Sequence, residues 1–299
     1  MGWKDKLKRC LSKIIYTMYQ RGICRNPLTV ADLDQTIEEL LHSEKSFVRF
    51  GDGEIRLIEG DKLPLQDADQ KLAKRLREII GMCSEDIMTG IPDIFRSLEQ
   101  YRPESRTFWQ EHLLFFRKKY EKYCVKQYQY YDAFFSRLYY MYDNRELSTK
   151  RFEKIKQIWK NRDVVVIESK TAHTGVDNDL LAMAHSVKRI ICPESNAWSV
   201  YEQLYETAIQ YDKNILFLIS AGATAKPLVV DLKKKEYRAL DIGSLDMEYQ
   251  WYLMKATEKC HPPKKNCITI EQDREAGYYE YINQIDAIIS EKSKEEVQV

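Results

Sequence analysis

The second half of the chain alternates short apolar segments with amphipathic ones, and this alternation limits the folds open to it. Segments that are apolar throughout predict strands at 163–167, 188–192, 214–219 and 237–241. Segments of helical periodicity follow at 176–185, 199–210, 223–234 and after Asp246. Strands that do not alternate polar with apolar residues, and that are separated by helices, are typical of a parallel sheet covered on both faces. We therefore predict an α/β fold.

The first half is less regular. Apolar periodicity predicts a helix from Val30 to His42, with Thr29 and Asp32 available at its N-terminus, and another helix over 67–80. Between them, Ser46 to Phe50 predicts a strand that ends at the turn sequence Gly51-Asp-Gly-Glu54. The tyrosine-rich stretch 104–142 predicts a mostly helical insertion. Its phenol rings fit either an aromatic groove for sugars or a helical core.

Composition limits the class of protein and of ligand. The chain has 299 residues, and its 47 basic and 46 acidic side chains leave a net charge of +1, which argues against a nucleic-acid partner. Seven cysteines without a C-x-x-C pair indicate reduced thiols. No segment resembles a signal peptide or a membrane span, so we expect a cytoplasmic protein. We divide it into an N-terminal helix (1–28), a main domain (29–290) and a disordered tail (291–299).

Charge is uneven at the N-terminus. Residues 1–25 contain seven Lys and Arg side chains but one acid, Asp5, and their apolar residues recur at helical spacing. A basic amphipathic helix of this kind either contacts an anionic membrane peripherally or is a solvated helix docked on its own domain. The sequence leaves both readings open.

Polar segments follow the predicted strands. In a parallel sheet the strand ends lie at one edge, where open α/β sheets bind ligands. Glycines at these exits allow close backbone approach, and the following helix N-termini offer N–H groups to a phosphate. There is no G-x-G-x-x-G after a strand and no P-loop, which argues against a dehydrogenase and a P-loop NTPase. The exit segments are 51–54, 175–179, 193–196, 222–224 and 243–248.

Two D-x-E pairs stand at these exits, Asp52 with Glu54 and Asp246 with Glu248. Carboxylates two residues apart in an extended or turn segment can face one point and hold a divalent ion against a diphosphate. One pair would then hold the metal and the other would supply a base for an acceptor hydroxyl. Spacing alone does not say which pair has which role.

Five segments, in order, resemble the glycosyltransferases of the GT-D fold, formerly a family of unknown function. The resemblance spans about Ser46 to Trp251. The segments that carry it are Ser46-Phe-Val-Arg-Phe-Gly-Asp-Gly-Glu54, Gly175-Val-Asp-Asn-Asp-Leu180, Ile191-Cys-Pro-Glu-Ser-Asn-Ala197, Gly222-Ala-Thr-Ala225 and Ala239-Leu-Asp-Ile-Gly-Ser-Leu-Asp-Met-Glu-Tyr249.

The resemblance implies a single Rossmann-like sheet flanked by helices and a transferase that uses Mn²⁺ or Mg²⁺. It implies a UDP-sugar donor, often UDP-glucose, and a glycan acceptor in bacterial surface polysaccharide or glycoprotein synthesis. Carried to matching positions, Asp246 and Glu248 resemble the metal pair, and Arg49, Asp52 and Glu54 the catalytic residues near the sugar or acceptor. The positions that resemble the nucleotide-sugar pocket are Gly51, Gly175, Asn178, Asp179, Asn196, Gly222 and Thr224.

The chain departs from the family pattern in two places. Ala172, His173 and Asp177 replace a Ser, an Arg and a Gly in the loop after the strand at 163–167, which removes an Arg that would face the diphosphate. Gly243-Ser244 replaces a Gly-His pair, which removes a proton carrier. If the altered loops have lost turnover, the alternative is a nucleotide-binding scaffold subunit of a glycosyltransferase complex. A third reading is a metal-dependent phosphohydrolase that uses the same carboxylates to activate water.

Overall fold

A computed structural model describes residues 2–262 and 276–290, and the predicted tail at 291–299 lies outside this range. The described residues form one nine-stranded sheet in which all neighbours are parallel. The strands are β1 (Thr29–Val30), β2 (Ser46–Arg49), β3 (Ile87–Ile91), β4 (Gln129–Asp132), β5 (Asp163–Ser169), β6 (Ser186–Cys192), β7 (Leu216–Ser220), β8 (Arg238–Asp241) and β9 (Ile285–Ile288). Their spatial order is β1-β4-β3-β2-β8-β7-β5-β6-β9.

Helices connect most of these strands. Over the same residues they are α1 (Trp3–Gln20), α2 (Leu33–His42), α3 (Asp52–Ile58), α4 (Gln70–Ile80), α5 (Pro103–Tyr123), α6 (Leu147–Ile158), α7 (Tyr201–Ala208), α8 (Ala225–Lys233), α9 (Leu245–Leu253) and α10 (Ala276–Gln284). None of the helices in the described ranges combines the length and the apolar character needed to cross a bilayer.

The central strands are buried on both faces. Residues 164–167 of β5, 216–219 of β7 and 239–240 of β8 are almost fully shielded from solvent, as expected for a parallel sheet covered by helices. The predicted fold class, a single Rossmann-like sheet flanked by helices, is therefore confirmed. Because all strands run parallel, their carboxyl ends lie at one edge of the sheet, which we call the carboxyl edge.

The helix predicted at 176–185 does not form. The connection between β5 and β6 is a series of turns, in which Gly175 and Asp177 have positive φ angles of 79° and 56°. Asn178 Oδ1 accepts a hydrogen bond from the Leu180 N–H at 2.9 Å, a local bond that competes with helix formation. Leu180 and Leu181 are buried, and their burial accounts for the apolar spacing that resembled a helix.

Two helix starts also differ from prediction. The helix predicted over 199–210 begins later, because residues 197–200 form a short 3₁₀ helix and α7 begins only at Tyr201. Ser199 Oγ donates to the Asn196 carbonyl. The helix predicted from Val30 starts at Leu33, because Val30 pairs with Tyr130 in β1.

The tyrosine-rich stretch is only partly helical. It is helical in α5 as far as Tyr123, and then forms β4 and a 3₁₀ helix at Ala133–Ser136. Tyr120 and Tyr130 are fully buried, and the Tyr130 hydroxyl donates to the Ile80 carbonyl at 2.9 Å. For these two rings the core reading is the correct one. Strands β1, β3, β4 and β9 were not predicted.

Helix α1 packs against α5. Lys8 Nζ lies 2.5 Å from Glu111 Oε2, and the Arg117 guanidinium lies 3.7 Å from the ring centroid of Tyr19. The Tyr16 hydroxyl accepts a hydrogen bond from the Leu98 N–H at 2.8 Å. The helix is thus attached to the domain through one of its faces.

The start of α2 provides a test of the fold. Asp32 Oδ1 accepts from the Gln35 N–H at 2.8 Å, and Gln35 Oε1 accepts from the Asp32 N–H at 3.1 Å, which is a reciprocal capping box. We expect Asp32→Ala to lower the free energy of unfolding by about 1 kcal/mol in denaturant titrations. Asp32→Ser should retain most of the stability because a serine hydroxyl also caps. Equal losses for the two variants would contradict this assignment.

Candidate active site

Four charged side chains form a buried network beneath the carboxyl edge. Arg49, at the end of β2, donates from Nε to the Asp241 carbonyl at 2.7 Å and from one terminal nitrogen to Asp241 Oδ1 at 2.8 Å. Lys226, in the first turn of α8, lies 3.1 Å from Asp241 Oδ2 and 2.7 Å from Glu54 Oε1. Two cations and two anions from four elements therefore meet at the centre of the sheet.

The network is buried and internally paired. The side chains of Arg49, Asp241 and Lys226 are 12%, 1% and 3% exposed. Burial alone would raise the pKa of the Asp241 carboxyl, but the charges of Arg49 and Lys226 outweigh it and hold that pKa below its ordinary value. Arg49 also donates to Ser136 Oγ at 2.5 Å. All three guanidinium nitrogens of Arg49, a predicted catalytic residue, are thus bonded to other residues of the chain.

Gly243 lies directly against this network. Its φ is 46°, and a Cβ atom added there would lie 1.9 Å from a terminal nitrogen of Arg49. The Gly243 N–H donates to Asp241 Oδ1 at 3.1 Å. A side chain at this position would therefore displace the Arg49 guanidinium from Asp241.

The two carboxylates of the first D-x-E pair differ in their partners. Glu54 Oε2 accepts the Gly51 N–H at 2.7 Å while Oε1 pairs with Lys226, so the Gly51 N–H is not available to a phosphate. The Asp52 side chain has no hydrogen bond or ion pair with another residue in the described ranges. Burial and the neighbouring charge of Glu54 raise the pKa of the Asp52 carboxyl. Asp52 is the member of this pair that is suited to exchange a proton.

Asp246, in the first turn of α9, brings together residues from two predicted groups. Its Oδ1 accepts from the Gly175 N–H at 2.8 Å and from Asn178 Nδ2 at 2.9 Å. Gly175 has positive φ, and an added Cβ would lie 2.8 Å from Leu181. The predicted metal ligand Asp246 and the predicted nucleotide residues Gly175 and Asn178 therefore form one cluster.

Glu248 is bound on the other side. Its Oε2 accepts the N–H groups of Tyr139 and Tyr140 at 3.0 and 2.9 Å. Its Oε1 is buried and has no hydrogen-bond partner in the part of the chain that the structure describes. Burial raises the pKa of this carboxyl, although the two N–H groups and the charge of Arg137 oppose the shift.

The expectation that each D-x-E pair occupies an extended or turn segment is wrong. Both pairs lie in the first turn of a helix, Asp52 and Glu54 in α3 and Asp246 and Glu248 in α9. In a helix, residues two apart point to different sides of the axis. This is why Asp246 contacts the 175–178 loop whereas Glu248 contacts the loop at 139–140.

The residues present fit a divalent ion whose remaining coordination positions are filled by phosphate and water oxygens. Within residues 2–262 and 276–290 there is no group of three or more His, Cys, Asp or Glu side chains that could hold a metal. The unpartnered Glu248 Oε1 is a hard oxygen of the kind that Mg²⁺ or Mn²⁺ binds, and Mg²⁺ usually takes only one or two protein carboxylates beside phosphate and water.

The other predicted nucleotide residues are more dispersed. Asp179 accepts from the Tyr249 hydroxyl and pairs with Lys156 at 2.9 Å. Asn196 Oδ1 accepts from the Asp67 N–H at 2.7 Å, and Asn196 Nδ2 donates to Asp67 Oδ2 at 2.9 Å. These bonds join the β6 exit to the loop before α4.

Gly222 and Thr224 lie at the β7 exit. Gly222 has a φ of 54° and nothing within 4 Å of an added Cβ. Thr224 Oγ1 is buried without a hydrogen-bond partner among the described residues. The β7 exit therefore has free space beside Gly222 and a Thr224 hydroxyl that can still form a hydrogen bond.

Several site residues were not predicted from the sequence. Lys226 resembles a solvated lysine on a helix, and only the adjacent Pro227 marked this position as a helix start. Asp241 is a charged residue at the end of an apolar strand, and this position was the one sequence signal that it belongs to the site. Arg137 follows the 3₁₀ helix after β4 and is exposed, and its charge partly opposes the rise that burial causes in the pKa of Asp52 and of Glu248. Its positive charge therefore acts on one carboxylate of each D-x-E pair.

Gly243 and Gly222 form a matched pair for testing the network. Both have positive φ, so Ala at either position carries a similar backbone cost of about 1 kcal/mol. Only at Gly243 does the added methyl group meet Arg49. We expect Gly243→Ala to lower the free energy of unfolding by about 1–3 kcal/mol more than Gly222→Ala. Equal losses in denaturant titrations would show that the close approach to Arg49 is unimportant.

Comparison with known proteins agrees with this geometry. A family model described as glycosyltransferase GT-D fold matches residues 47–269. The chain is 38% identical over 269 residues to the probable glycosyl transferase Gly of Streptococcus gordonii, covering 89% of this chain and 39% of that protein. It is 36% identical over 233 residues to glycosyltransferase GlyD of Streptococcus pneumoniae serotype 4 (strain ATCC BAA-334 / TIGR4), covering 78% and 28%. The chain thus spans less than two fifths of the length of these relatives.

Solved structures agree as well. A new glycosyltransferase (DUF1792) from Streptococcus sanguinis has a TM-score of 0.82 at 38% identity, over 88% of this chain and 100% of that one. The structure described as the highly conserved domain of unknown function 1792, with a distinct glycosyltransferase fold, has a TM-score of 0.83 at 33% identity, over 94% and 100%. The parallel sheet, the ordered motifs at its carboxyl edge and these matches together establish that the chain belongs to the GT-D-fold family of glycosyltransferases.

Proposed function

We propose that this glycosyltransferase domain transfers a hexose, glucose by its family resemblance, from a UDP-sugar to a hydroxyl of a glycan. The observation that carries the proposal is the cluster at α9. Asp246 holds the Gly175 and Asn178 loop, and Glu248 beside it presents a buried oxygen without a partner among the described residues. Such a site is suited to a ligand that brings both phosphate oxygens and a cation.

Of the predicted metal pair, Glu248 would hold Mn²⁺ or Mg²⁺ through Oε1, which has no partner among the described residues, and Asp246 would position the Gly175 and Asn178 loop beside it. When bound, the ion would neutralise the negative charge that develops on the departing diphosphate. Arg137 would add positive charge from the loop after the 3₁₀ helix at Ala133–Ser136, since its charge acts on Asp52 as well as on Glu248. It would serve in place of the Arg that is missing from the 172–177 loop.

Asp52 is the proposed base. The acceptor oxygen would form a bond to the anomeric carbon, the bond from that carbon to the diphosphate would break, and the hydroxyl proton would pass to the Asp52 carboxylate. Glu54 and Arg49 have their polar atoms engaged by Lys226, Gly51, Asp241 and Ser136. We assign Glu54 the role of positioning α3, and Arg49 that of positioning the end of β8 and the loop at 133–136.

The acceptor is proposed from the relatives. The resemblance to transferases of bacterial surface glycans suggests a glycoprotein or a lipid-linked oligosaccharide. Because the chain covers 39% and 28% of the two relatives, the acceptor of a longer protein could depend on further segments. The cytoplasmic setting and the membrane contact through residues 1–25 remain predictions from the sequence.

Calorimetric titration of UDP and UDP-glucose tests the donor and the metal together. We expect binding that requires Mn²⁺ and that weakens by at least about tenfold in Asp246→Asn, because a charged group that bonds the loop is lost. Asp52→Asn is the matched control and should bind UDP as the unchanged chain does. Loss of binding in Asp52→Asn but not in Asp246→Asn would assign the metal to the first pair instead.

The alternatives give different results. A scaffold subunit would bind UDP-glucose but would not hydrolyse it slowly in the absence of acceptor, whereas a transferase should. A phosphohydrolase would release phosphate from simple phosphomonoesters, and a transferase would not. Failure to bind any nucleotide, with or without Mn²⁺, would refute the proposed donor.

The pH dependence of transfer tests the base. Since the pKa of Asp52 is raised, kcat/KM should rise with pH through an ionisation above the ordinary aspartate value of 3.8. Glu54→Gln removes a like charge, lowers the pKa of Asp52, and should move this rise to lower pH. Arg137→Gln removes a favourable charge and should move it to higher pH. Shifts in the same direction, or none, would exclude Asp52 as the base.

A further inference from the structure

Helix α1 has two faces with different surroundings. One face packs on the domain, where Ser12 and Tyr16 are buried and Tyr19 lies against Arg117. The large apolar side chains of the helix are elsewhere. Trp3, Leu7, Leu11 and Ile14 are all exposed, Trp3 to 71% and Ile14 to 52%.

These four residues form one stripe. Their spacing of four, four and three residues places them on the same side of a helix, roughly opposite Ser12 and Tyr16. We call this stripe the apolar face of α1. A helix that served only to cover its own domain would turn its apolar side inward, and α1 does the reverse. Contiguous exposed apolar residues of this kind mark an interaction surface.

Basic residues flank the stripe. At 100° per residue, Lys6 and Lys13 lie along one side of the apolar face and Lys4 along the other. Residues 1–25 hold seven of the chain's 47 basic side chains and one of its 46 acidic ones, which leaves 40 basic against 45 acidic side chains in the remaining 274 residues. The positive charge is therefore concentrated around the apolar face on an otherwise acidic chain.

We infer that the apolar face of α1 lies on the surface of an anionic lipid bilayer, with the helix axis in the membrane plane. Apolar side chains would enter the boundary between head groups and acyl chains, and the flanking lysines would meet lipid phosphates. A tryptophan at the end of the stripe suits that boundary, because its ring is amphipathic. A second copy of the chain is a poorer partner, since pairing two such faces would bring lysines against lysines.

The helix would hold the domain at the membrane. Tyr16 bonds to the Leu98 N–H, and Lys8 and Arg9 pair with Glu111 at 2.5 and 3.4 Å, so α1 can contact lipid without leaving α5. This inference is independent of sugar transfer, because no residue of the apolar face belongs to the site at the carboxyl edge.

Vesicle binding by the full chain tests the inference. We expect co-sedimentation with phosphatidylglycerol-containing vesicles, weak binding to pure phosphatidylcholine, and loss of binding as salt is raised. Trp3 is far more exposed than the other tryptophans. Its fluorescence should shift to the blue on binding and be quenched by brominated lipids, and Trp3→Phe should remove that signal.

Matched variants distinguish binding through the apolar face from non-specific hydrophobic binding to vesicles. Leu7→Glu with Ile14→Glu should weaken vesicle binding by at least about tenfold, because two large apolar side chains no longer enter the bilayer. Leu147→Glu with Ile288→Glu makes the same changes at exposed positions elsewhere and should leave binding unchanged. Circular dichroism and thermal unfolding would confirm that both double variants fold.

Three outcomes would overturn the inference. The first is that the intact chain does not bind anionic vesicles, and the second is that the Leu7 and Ile14 variant binds them as well as the control variant does. The third is that light scattering shows a dimer, disrupted by the Leu7 and Ile14 substitutions, in a chain that does not bind vesicles. The apolar face would then be an interface between copies. UDP-glucose titration of the same variants reports separately on the proposed donor site.

Discussion

The architecture of the carboxyl edge depends on one buried arrangement of charges. Arg49, Lys226, Asp241 and Glu54 come from β2, α8, β8 and α3, and they meet where water is almost excluded. A single charge buried there would cost several kcal/mol, so each requires the others. Because two cations neutralise two anions, the exits of neighbouring strands are held in one relative position. Gly243 is part of the same constraint, since only a residue without Cβ leaves room for Arg49.

This arrangement separates residues that hold the site from residues that can act in it. Glu54 has both oxygens engaged, by Lys226 and by the Gly51 N–H. Asp52, two residues earlier, is partly buried without a partner among the described residues, and burial raises its pKa. In Glu248 the two oxygens differ: Oε2 accepts two backbone N–H groups, whereas Oε1 has no hydrogen-bond partner among the described residues. Groups whose bonding is complete give rigidity, and those with capacity left are available to a ligand.

The loop at 172–177 is bonded to the buried ion pair between Glu168 and Arg189. The Thr174 N–H donates to Glu168 at 2.8 Å, and Glu168 pairs with Arg189 at 2.6 Å in the core. His173 is buried, and its ring lies 4.7 Å from that of Tyr281 in an edge-to-face contact. Arg137, in a loop earlier in the chain, is an exposed cation whose charge acts on both Asp52 and Glu248.

The sequence by itself determined the fold class, because apolar, non-alternating strands separated by helices are stable only in a covered parallel sheet. It also determined which segments reach the carboxyl edge, since parallel strands all end there. It could not place β1 or β9, which are short and depend on pairing with distant strands, nor the turns at 176–185, where buried Leu180 and Leu181 resemble a helix. Only the tertiary structure decided which carboxylate oxygens of the two D-x-E pairs are already bonded. Which oxygen is bonded depends on Lys226, Tyr139 and Gly175, and these residues are distant in the chain and adjacent only once the sheet has formed.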